Sequence, residues 1–292
     1  MRIVSAACGL LALAALGHVA RADADGLTDA LGPRELALGG GLRAGAVGAL
    51  ATSLNPAGVA LTRELVLEGS YGYRDNAALV ALSACDSTNA APGCFYYRYA
   101  SVTPTDGMDV HQRSHVGGLT LSRVVSPRFI IGSGIKYFNV KRDDMSAKAD
   151  SGVNWDLGTL LRITPTLDLA VVGYNIKGST SAEFPRAVGA GMAFHSTAQF
   201  RATFDALWNL DSDQSTGRYG GGVEYVVSTQ RGQVDYPLRL GALHDVVTGS
   251  FISGGLGIAA AKYGLDIGAR KQVSDGDELQ ISASLRVFGP RL

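Results

Sequence analysis

The segment ELQISASLRVF, residues 278–288, alternates between polar and apolar side chains from Glu278 to Val287. Its odd-numbered positions, from Leu279 to Val287, are apolar, whereas its even-numbered positions, from Glu278 to Arg286, carry charged, amide or hydroxyl groups. Successive side chains of a β-strand point to opposite faces of the sheet. The segment therefore predicts a strand with one apolar face and one polar face.

The same alternation recurs along most of the chain, and beyond residue 64 no stretch keeps a helical period of 3.6 residues for long. It predicts fourteen strands, at residues 66–74, 77–85, 94–103, 113–125, 129–141, 152–163, 167–177, 186–195, 198–209, 218–228, 237–246, 250–260, 263–271 and 278–288. An even number of strands, each about ten residues long, is typical of bacterial outer-membrane barrels. We therefore predict an all-β fold, a transmembrane antiparallel β-barrel of about 14 strands.

Connections between the predicted strands alternate between tight turns and longer polar loops. The tight turns lie at residues 125–128, 164–166, 196–198 and 261–262, and the longer loops include 103–112, 142–151, 178–185, 211–217 and 272–277. Short turns at one rim and longer loops at the other are the arrangement of outer-membrane barrels.

A secreted soluble β-sandwich is the alternative, because its strands alternate as well. Two features favour the barrel: the polar face is largely Gly, Ser, Thr and Ala with isolated charges, and aromatic residues recur near strand ends. Aromatic residues form girdles at the two interfaces of a membrane barrel. The predicted girdle residues are Phe129, Tyr137, Trp155, Tyr174, Phe200, Trp208, Tyr219, Tyr225, Phe251 and Tyr263.

The composition suits a β-rich chain with closely approaching strands. Of 292 residues, 38 are glycine, which is roughly twice the typical ~7%. Only 18% of the residues are charged, and the formal net charge is zero. This balance excludes a disordered or nucleic-acid-dominated chain, so we expect no nucleic-acid partner.

The N-terminus has the features of a secretory signal peptide. Met1 and Arg2 form a short positive end, an apolar run extends from Ile3 to Leu16, and Ala20-Arg21-Ala22 supplies a small-x-small cleavage pattern. The run is too short for the alternative, a membrane-spanning anchor. We expect residues 1–22 to be removed on export.

Two cysteines remain after that cleavage, Cys85 and Cys94. In an oxidising compartment they could close a small loop as a disulfide. A metal pair is less well supported, since no histidine or further cysteine lies nearby in the sequence.

The segment LGGGLRAGAVGALATSLNPAGVAL, residues 38–61, resembles the N-terminal plug of FadL-type transporters, the long-chain fatty acid uptake family of outer-membrane barrels. The resemblance implies a fourteen-stranded barrel at residues 65–292 whose lumen is blocked by a hatch, residues 23–64. Its corner is Asn55-Pro56-Ala57-Gly58, where Pro56 fixes φ and Asn55 can close an Asx turn. The outward loops are shorter than those of the best-known members, which leaves little material for a long-chain capture groove.

Isolated charges on the polar face must point into the barrel, because an Arg or Lys on the lipid face costs roughly 2–4 kcal/mol at mid-membrane. We expect a ladder of lumen ion pairs that holds the hatch. The predicted lumen-facing charges are Glu68, Arg98, Lys136, Asp156, Arg162, Asp168, Arg201, Asp205, Glu224, Asp266, Arg270, Glu278 and Arg286.

No hydrolase, nucleotide-binding or zinc-protease motif occurs in the sequence, so we predict no enzyme activity, no catalytic residues and no cofactor. His111 and His115 have an i, i+4 spacing but fall where a loop enters a strand, and we predict no metal site there. Asp211, Asp213, Asp275 and Asp277 lie at loop tips; we interpret them as turn-forming carboxylates rather than calcium ligands.

These features lead to the hypothesis of passive uptake of hydrophobic or amphipathic small molecules across the outer membrane of a Gram-negative-type bacterium. The alternative is a non-transporting barrel that serves as a scaffold, shuttle or anchor for a secretion or surface-assembly system. A general polar porin is disfavoured by the plugged lumen. The expected partners are the lipid bilayer, lipopolysaccharide, a hydrophobic small-molecule ligand and, during biogenesis, the barrel-assembly machinery.

Overall fold

A computed structural model describes residues 32–74, 77–103, 111–143, 150–178, 184–196, 199–212, 216–229, 234–274 and 276–289. The predicted signal peptide, residues 1–22, and the first nine residues of the predicted hatch lie outside these ranges. No helix among the described residues is long and apolar enough to cross a membrane.

Fourteen antiparallel strands close into a barrel, in which each strand pairs with its neighbours in the chain and β14 pairs with β1. The strands are β1 (Leu65–Arg74), β2 (Ala77–Asp86), β3 (Gly93–Val102), β4 (Gln112–Ser126), β5 (Phe129–Arg142), β6 (Asp150–Thr164), β7 (Leu167–Gly178), β8 (Ala187–His195), β9 (Phe200–Asn209), β10 (Arg218–Ser228), β11 (Val234–Asp245), β12 (Gly249–Ala260), β13 (Tyr263–Gln272) and β14 (Leu279–Phe288). The predicted fold class and strand number are confirmed.

The apolar face of the strands lies outside the barrel, and the polar face lies inside. In β14, Ile281 and Leu285 are 42% and 49% exposed, whereas Gln280 and Ser282 are 0% and 2% exposed. A soluble sandwich would bury the apolar face, so this alternative is wrong. The outward apolar surface is the one that a bilayer covers.

Two of the predicted girdle aromatics lie inside the barrel. Tyr174 and Phe251 are 8% and 4% exposed, because they share strand parity with inward residues such as Val172 and Gly249. The other predicted girdle residues are partly or fully exposed; among them, Trp208 and Tyr219 form an edge-to-face pair. The prediction that Tyr174 and Phe251 belong to the interfacial girdles is therefore wrong, because it used their nearness to strand ends and not the face on which they lie.

Strand connections define two ends of the barrel. Connections 103–111, 143–149, 179–186, 210–217 and 273–278 lie at one end, here called the long-loop end, with the shorter 75–76 and 246–248. The opposite end, here called the short-turn end, has two-residue turns after β4, β6 and β12. It also carries connections at 87–92 and 229–233, so the two rims differ less in loop length than the sequence predicts.

The N-terminal segment, residues 32–64, folds into short helical pieces: α1 (Pro33–Ala37), a 3₁₀ turn (Gly48–Leu50), α2 (Ala51–Leu54) and a second 3₁₀ turn (Pro56–Leu61). Gly39 and Gly40 end α1 with φ angles of 64° and 75°, a conformation that side chains with a Cβ rarely adopt. Seven apolar residues of the segment, from Leu38 to Val59, pack in one cluster with Val66, Cys85 and Cys94 of the wall. The segment therefore shares its core with the barrel.

Candidate functional site

The corner at Asn55 and Pro56 is fixed by hydrogen bonds in three directions. The Asn55 Oδ1 accepts from the Ala57 N–H at 3.1 Å, which is the Asx turn expected from the sequence. Its Nδ2 donates to the carbonyls of Arg43 in the segment and Thr159 in β6, each at 3.1 Å. Asn55 is 0% exposed, so the side chain joins the segment to the wall without competition from solvent.

Glycines on the inner wall let this corner approach the strands. A Cβ on Gly132 of β5 would lie 2.2 Å from the Ala57 nitrogen, and a Cβ on Gly158 of β6 would lie 2.1 Å from the Asn55 Oδ1. On the opposite wall, a Cβ on Gly268 would lie 2.1 Å from the Pro33 carbonyl oxygen. The wall backbone thus meets the segment at spacings that no other residue type allows.

Ion pairs tie the segment to strands β9 and β10 of the wall. Asp205 accepts from the Leu42 N–H at 2.9 Å, from the Arg43 N–H at 2.7 Å and from the Arg43 guanidinium at 3.0 Å. Arg34 forms a two-bond pair with Glu224, at 3.0 and 2.8 Å. Glu224 also accepts from Arg239, whose side chain is 2% exposed. Asp205 and Glu224 are therefore the wall anchors of the segment.

Three more of the charges from the sequence list extend this network along the wall. Asp266 accepts from Arg239 and Arg286, and Arg201 lies 3.6 Å from Glu224. Glu68 is half-buried and lines a small gap that it shares with Asp266 and Arg286.

The remaining charges from that list lie elsewhere. Lys136 pairs with Asp156 at 2.7 Å, and Arg270 lies 3.4 Å from Glu278 and over the ring of Phe251. Arg98 donates to the Thr52 hydroxyl at 2.6 Å. Arg162 is 44% exposed near the short-turn end and pairs with Asp168 at 3.5 Å rather than with the segment.

Sequence reasoning missed Arg34, Glu35, Arg43 and Arg239. The first three are the charged residues in an otherwise Gly/Ala-rich stretch, which is a signal for specific buried contacts. Arg239 alternates with the outward Leu238 and Leu240, so its period places it inside. Its partners are distant in sequence, and no local pattern indicates them.

A bulge in β7 shapes the wall beside the segment. The register between β6 and β7 shifts at Asp156, and Asn175 has a φ of 51°, the left-handed region. The Asn175 N–H donates to the Asp156 carboxylate at 2.8 Å in place of a ladder bond, and its Nδ2 donates to the Pro185 carbonyl at 2.7 Å. Next to it, the Tyr174 hydroxyl donates to the Leu54 carbonyl at 2.5 Å and accepts from Arg43 at 2.8 Å. Through Tyr174, the bulged part of β7 therefore makes two further hydrogen bonds to the N-terminal segment.

A cavity of about 350 Å³ lies between the N-terminal segment and the long-loop end. The segment contributes its floor, through Glu35, Arg43 and residues 52–54. Residues of the connections at the long-loop end, such as Thr216 and Thr248, line its upper part. Tyr96, Val116 and Phe184 supply an apolar wall and belong to one packed cluster. The cavity therefore combines an apolar wall with a charged floor.

Glu35 is the most unusual group on that floor. It is 1% exposed, and its Oε2 has no hydrogen-bond partner among the described residues. Burial raises the pKa of Glu35 to about 8, against the opposing effect of Arg43 and Arg98. The carboxyl group therefore holds its proton at neutral pH and can donate a hydrogen bond.

Cys85 and Cys94 face each other across β2 and β3 and are joined by a disulfide. Both are buried against the N-terminal segment, and the Cys94 sulfur lies 3.7 Å from the Gly48 carbonyl oxygen. The bond therefore lies between the wall and the segment.

The histidines and loop-tip carboxylates noted in the sequence contact neighbouring protein side chains where the structure describes them. His111 and His115 contact Thr103 and Tyr97, and no group of three or more potential metal ligands occurs in the described part of the chain. Asp211 pairs with Arg186, and Asp277 pairs with Lys271. Asp213 and Asp275 lie outside the described residues.

Comparison with known proteins places this architecture among solved channels. No protein-family model matches the sequence, and no curated protein matches it. Its fold is shared by solved hydrocarbon channels. The chain is similar to the monoaromatic hydrocarbon channel CymD, with a TM-score of 0.68 and 15% identity, over 89% of this chain and 97% of CymD.

Two further solved structures show the same likeness. The Pseudomonas putida toluene transporter TodX has a TM-score of 0.65 and 10% identity, over 88% of this chain and 97% of TodX. A Pseudomonas aeruginosa FadL homologue has a TM-score of 0.62 and 10% identity, over 88% and 97%. The resemblance to FadL-type barrels that the corner motif indicated is confirmed for the fold.

Proposed function

We propose that this chain is an outer-membrane barrel that admits hydrophobic or amphipathic small molecules by passive uptake in a Gram-negative-type bacterium. The cavity carries this proposal, because it lies between the long-loop end and the N-terminal segment and combines an apolar wall with a few polar groups. The similar solved structures are a hydrocarbon channel and a toluene transporter, which supports the same function here. They are channels and not enzymes, in keeping with a non-enzymatic role.

The proposed organisation follows from the same features. Residues 1–22 act as an export signal, residues 23–64 as a hatch that closes the lumen, and residues 65–292 as the barrel. Asn55, Pro56, Ala57 and Gly58 fix the hatch against β5 and β6, and the ion pairs of Asp205 and Glu224 hold its other side. The bilayer and lipopolysaccharide surround the barrel, and the barrel-assembly machinery inserts it. A scaffold or anchor role is less well supported, since it needs no cavity.

Uptake assays with cavity and surface variants test the transport function. Cells that express the protein are compared with cells that lack it for accumulation of labelled toluene, p-xylene, an alkane and a fatty acid. Val116→Trp fills the cavity and is expected to lower uptake several-fold, whereas Leu240→Trp, on a residue 68% exposed on the outer face, is expected to leave uptake unchanged. A heat-dependent shift in gel mobility verifies that both variants fold as barrels.

No difference in uptake across all four compounds would contradict transport. A stable protein partner that co-purifies with the barrel under the same conditions would favour the scaffold.

A further inference from the structure

Two ionisable side chains, Glu35 and Arg98, face the cavity without an ion-pair partner among the described residues. Glu35 has the unpartnered Oε2, and its carboxyl group receives one hydrogen bond, from the Gly32 N–H. Arg98 donates to the neutral Thr52 hydroxyl at 2.6 Å and lies over the Tyr96 ring at 4.8 Å. A buried polar group without a partner is unfavourable, so this pair of side chains indicates a place where a ligand supplies the missing contacts.

The other charges of the cavity are neutralised locally. Arg43 pairs with Asp205 at 3.0 Å, Lys136 with Asp156 at 2.7 Å and Arg218 with Asp245 at 2.8 Å. Arg270 lies 3.4 Å from Glu278. The cationic guanidinium of Arg98 therefore stands out as the charge that no carboxylate of the described residues balances.

Both polar groups act as donors at neutral pH. Arg98 has only N–H donors, and the raised pKa of Glu35 leaves its carboxyl group protonated. The groups that face Glu35 electrostatically are Arg43 of the segment, Arg98 of β3 and Asp205 of β9. Thr52 is already engaged, since its hydroxyl donates to the Ala49 carbonyl at 2.6 Å while it accepts from Arg98, so it positions the guanidinium.

We propose that Glu35 and Arg98 form the polar end of a ligand site that binds the carboxylate of a compact aromatic acid, with its ring against Tyr96, Val116 and Phe184. A carboxylate accepts from both donors and balances the charge of Arg98. The apolar cluster lies beside Arg98 because Tyr96 and Arg98 are two residues apart on the inner face of β3. A cavity of about 350 Å³ is near the lower limit for ligand pockets, ~300–1,000 Å³, which favours one or two rings over a long chain.

This site deepens the proposed uptake function and rests on it. Its test uses the purified, refolded full chain in detergent at pH 6.5, and calorimetry with three ligands of nearly equal shape: 4-methylbenzoate, 4-methylbenzamide and p-xylene. The wild type is expected to bind 4-methylbenzoate at least about tenfold more tightly than either neutral ligand, since hydrogen bonds between charged partners are the stronger ones.

Variants separate the polar end from the apolar wall. Arg98→Met is expected to remove the preference for 4-methylbenzoate and to leave the affinity for p-xylene unchanged. Arg98→Lys keeps a positive charge and is expected to retain part of that preference. Glu35→Gln retains a hydrogen-bond donor that does not ionise. The affinity of this variant for 4-methylbenzoate is therefore expected to persist up to pH 9, where the wild type loses affinity as Glu35 ionises. Arg113→Met is the control, because Arg113 forms an exposed pair with Asp143, with a 50% exposed side chain.

Equal binding of 4-methylbenzoate and p-xylene would overturn the proposed site while leaving the uptake function intact. Equal binding of 4-methylbenzoate and 4-methylbenzamide would show that the site recognises a neutral hydrogen-bond acceptor rather than a carboxylate, and would also overturn the proposed site. The absence of both binding and uptake for all three ligands would reject the uptake function as well.

Discussion

The Asp205 carboxylate accepts hydrogen bonds from both the backbone N–H and the guanidinium of Arg43, at 2.7 and 3.0 Å. Both side chains are buried, so each ion depends on the other for its solvation. We expect Asp205→Asn to destabilise the protein by about 3–5 kcal/mol, because it leaves the Arg43 charge buried and unpaired. Urea unfolding in lipid vesicles measures this loss, with protease cleavage within residues 32–64 as a local probe.

Asp211→Asn is the matched control for that substitution. Asp211 pairs with Arg186, whose side chain is 59% exposed, and an exposed pair contributes at most about 1 kcal/mol. Equal losses for the two variants would show that the buried pair does not hold the segment.

Contact between the wall glycines and the corner predicts a steric effect. Gly158→Ala places a methyl group 2.1 Å from the Asn55 Oδ1, a distance that forces the corner away from β6. We expect a loss of roughly 1–3 kcal/mol from overpacking, with the barrel still formed and the segment more accessible to protease. Gly254→Ala is the control, since the nearest atom to its added methyl group is 3.5 Å away. Protease resistance that is unchanged in Gly158→Ala would contradict the observed fit.

The disulfide joins two strands where they pack on the N-terminal segment. Its removal by the double substitution Cys85→Ser and Cys94→Ser frees a loop of nine residues in the unfolded chain. We expect a loss of about 2–3 kcal/mol, the usual effect for a short loop. Unfolding of the wild type with and without reductant gives the same comparison, and a variant as stable as the oxidised wild type would disprove the contribution.

The barrel could be predicted because the sequence of each strand shows the apolar–polar alternation by itself. Period-two alternation in segments such as 278–288 depends only on which face meets lipid, and every strand of a closed barrel repeats it. The corner was predictable for a similar local reason, since Asn55 and Pro56 form their turn with near neighbours. Cys85 and Cys94 flank one turn, so their pairing required only adjacent strands.

The site was less predictable because its contacts join distant parts of the chain. Arg34 and Glu224 are 190 residues apart, and no local pattern relates them. The inward position of Tyr174 depends on strand parity, which residue type does not reveal. Glu35 owes its raised pKa to burial by the surrounding wall, so its protonation state follows only from the assembled barrel.

The raised pKa of Glu35 makes the stability of the protein depend on pH in a defined direction. Between the ordinary value of 4.5 and about 8, the folded protein keeps a proton on Glu35 that the unfolded chain releases. Folding therefore weakens as pH rises through this window, by roughly 1.4 kcal/mol per pH unit at most for a single group. Glu35→Gln removes the ionisable carboxyl group, so the stability of the variant does not change with pH through this site. The stability of the variant relative to the wild type is therefore expected to increase from pH 5 to pH 8. Urea midpoints at four pH values measure it, and a difference that stays constant with pH would show that Glu35 ionises normally.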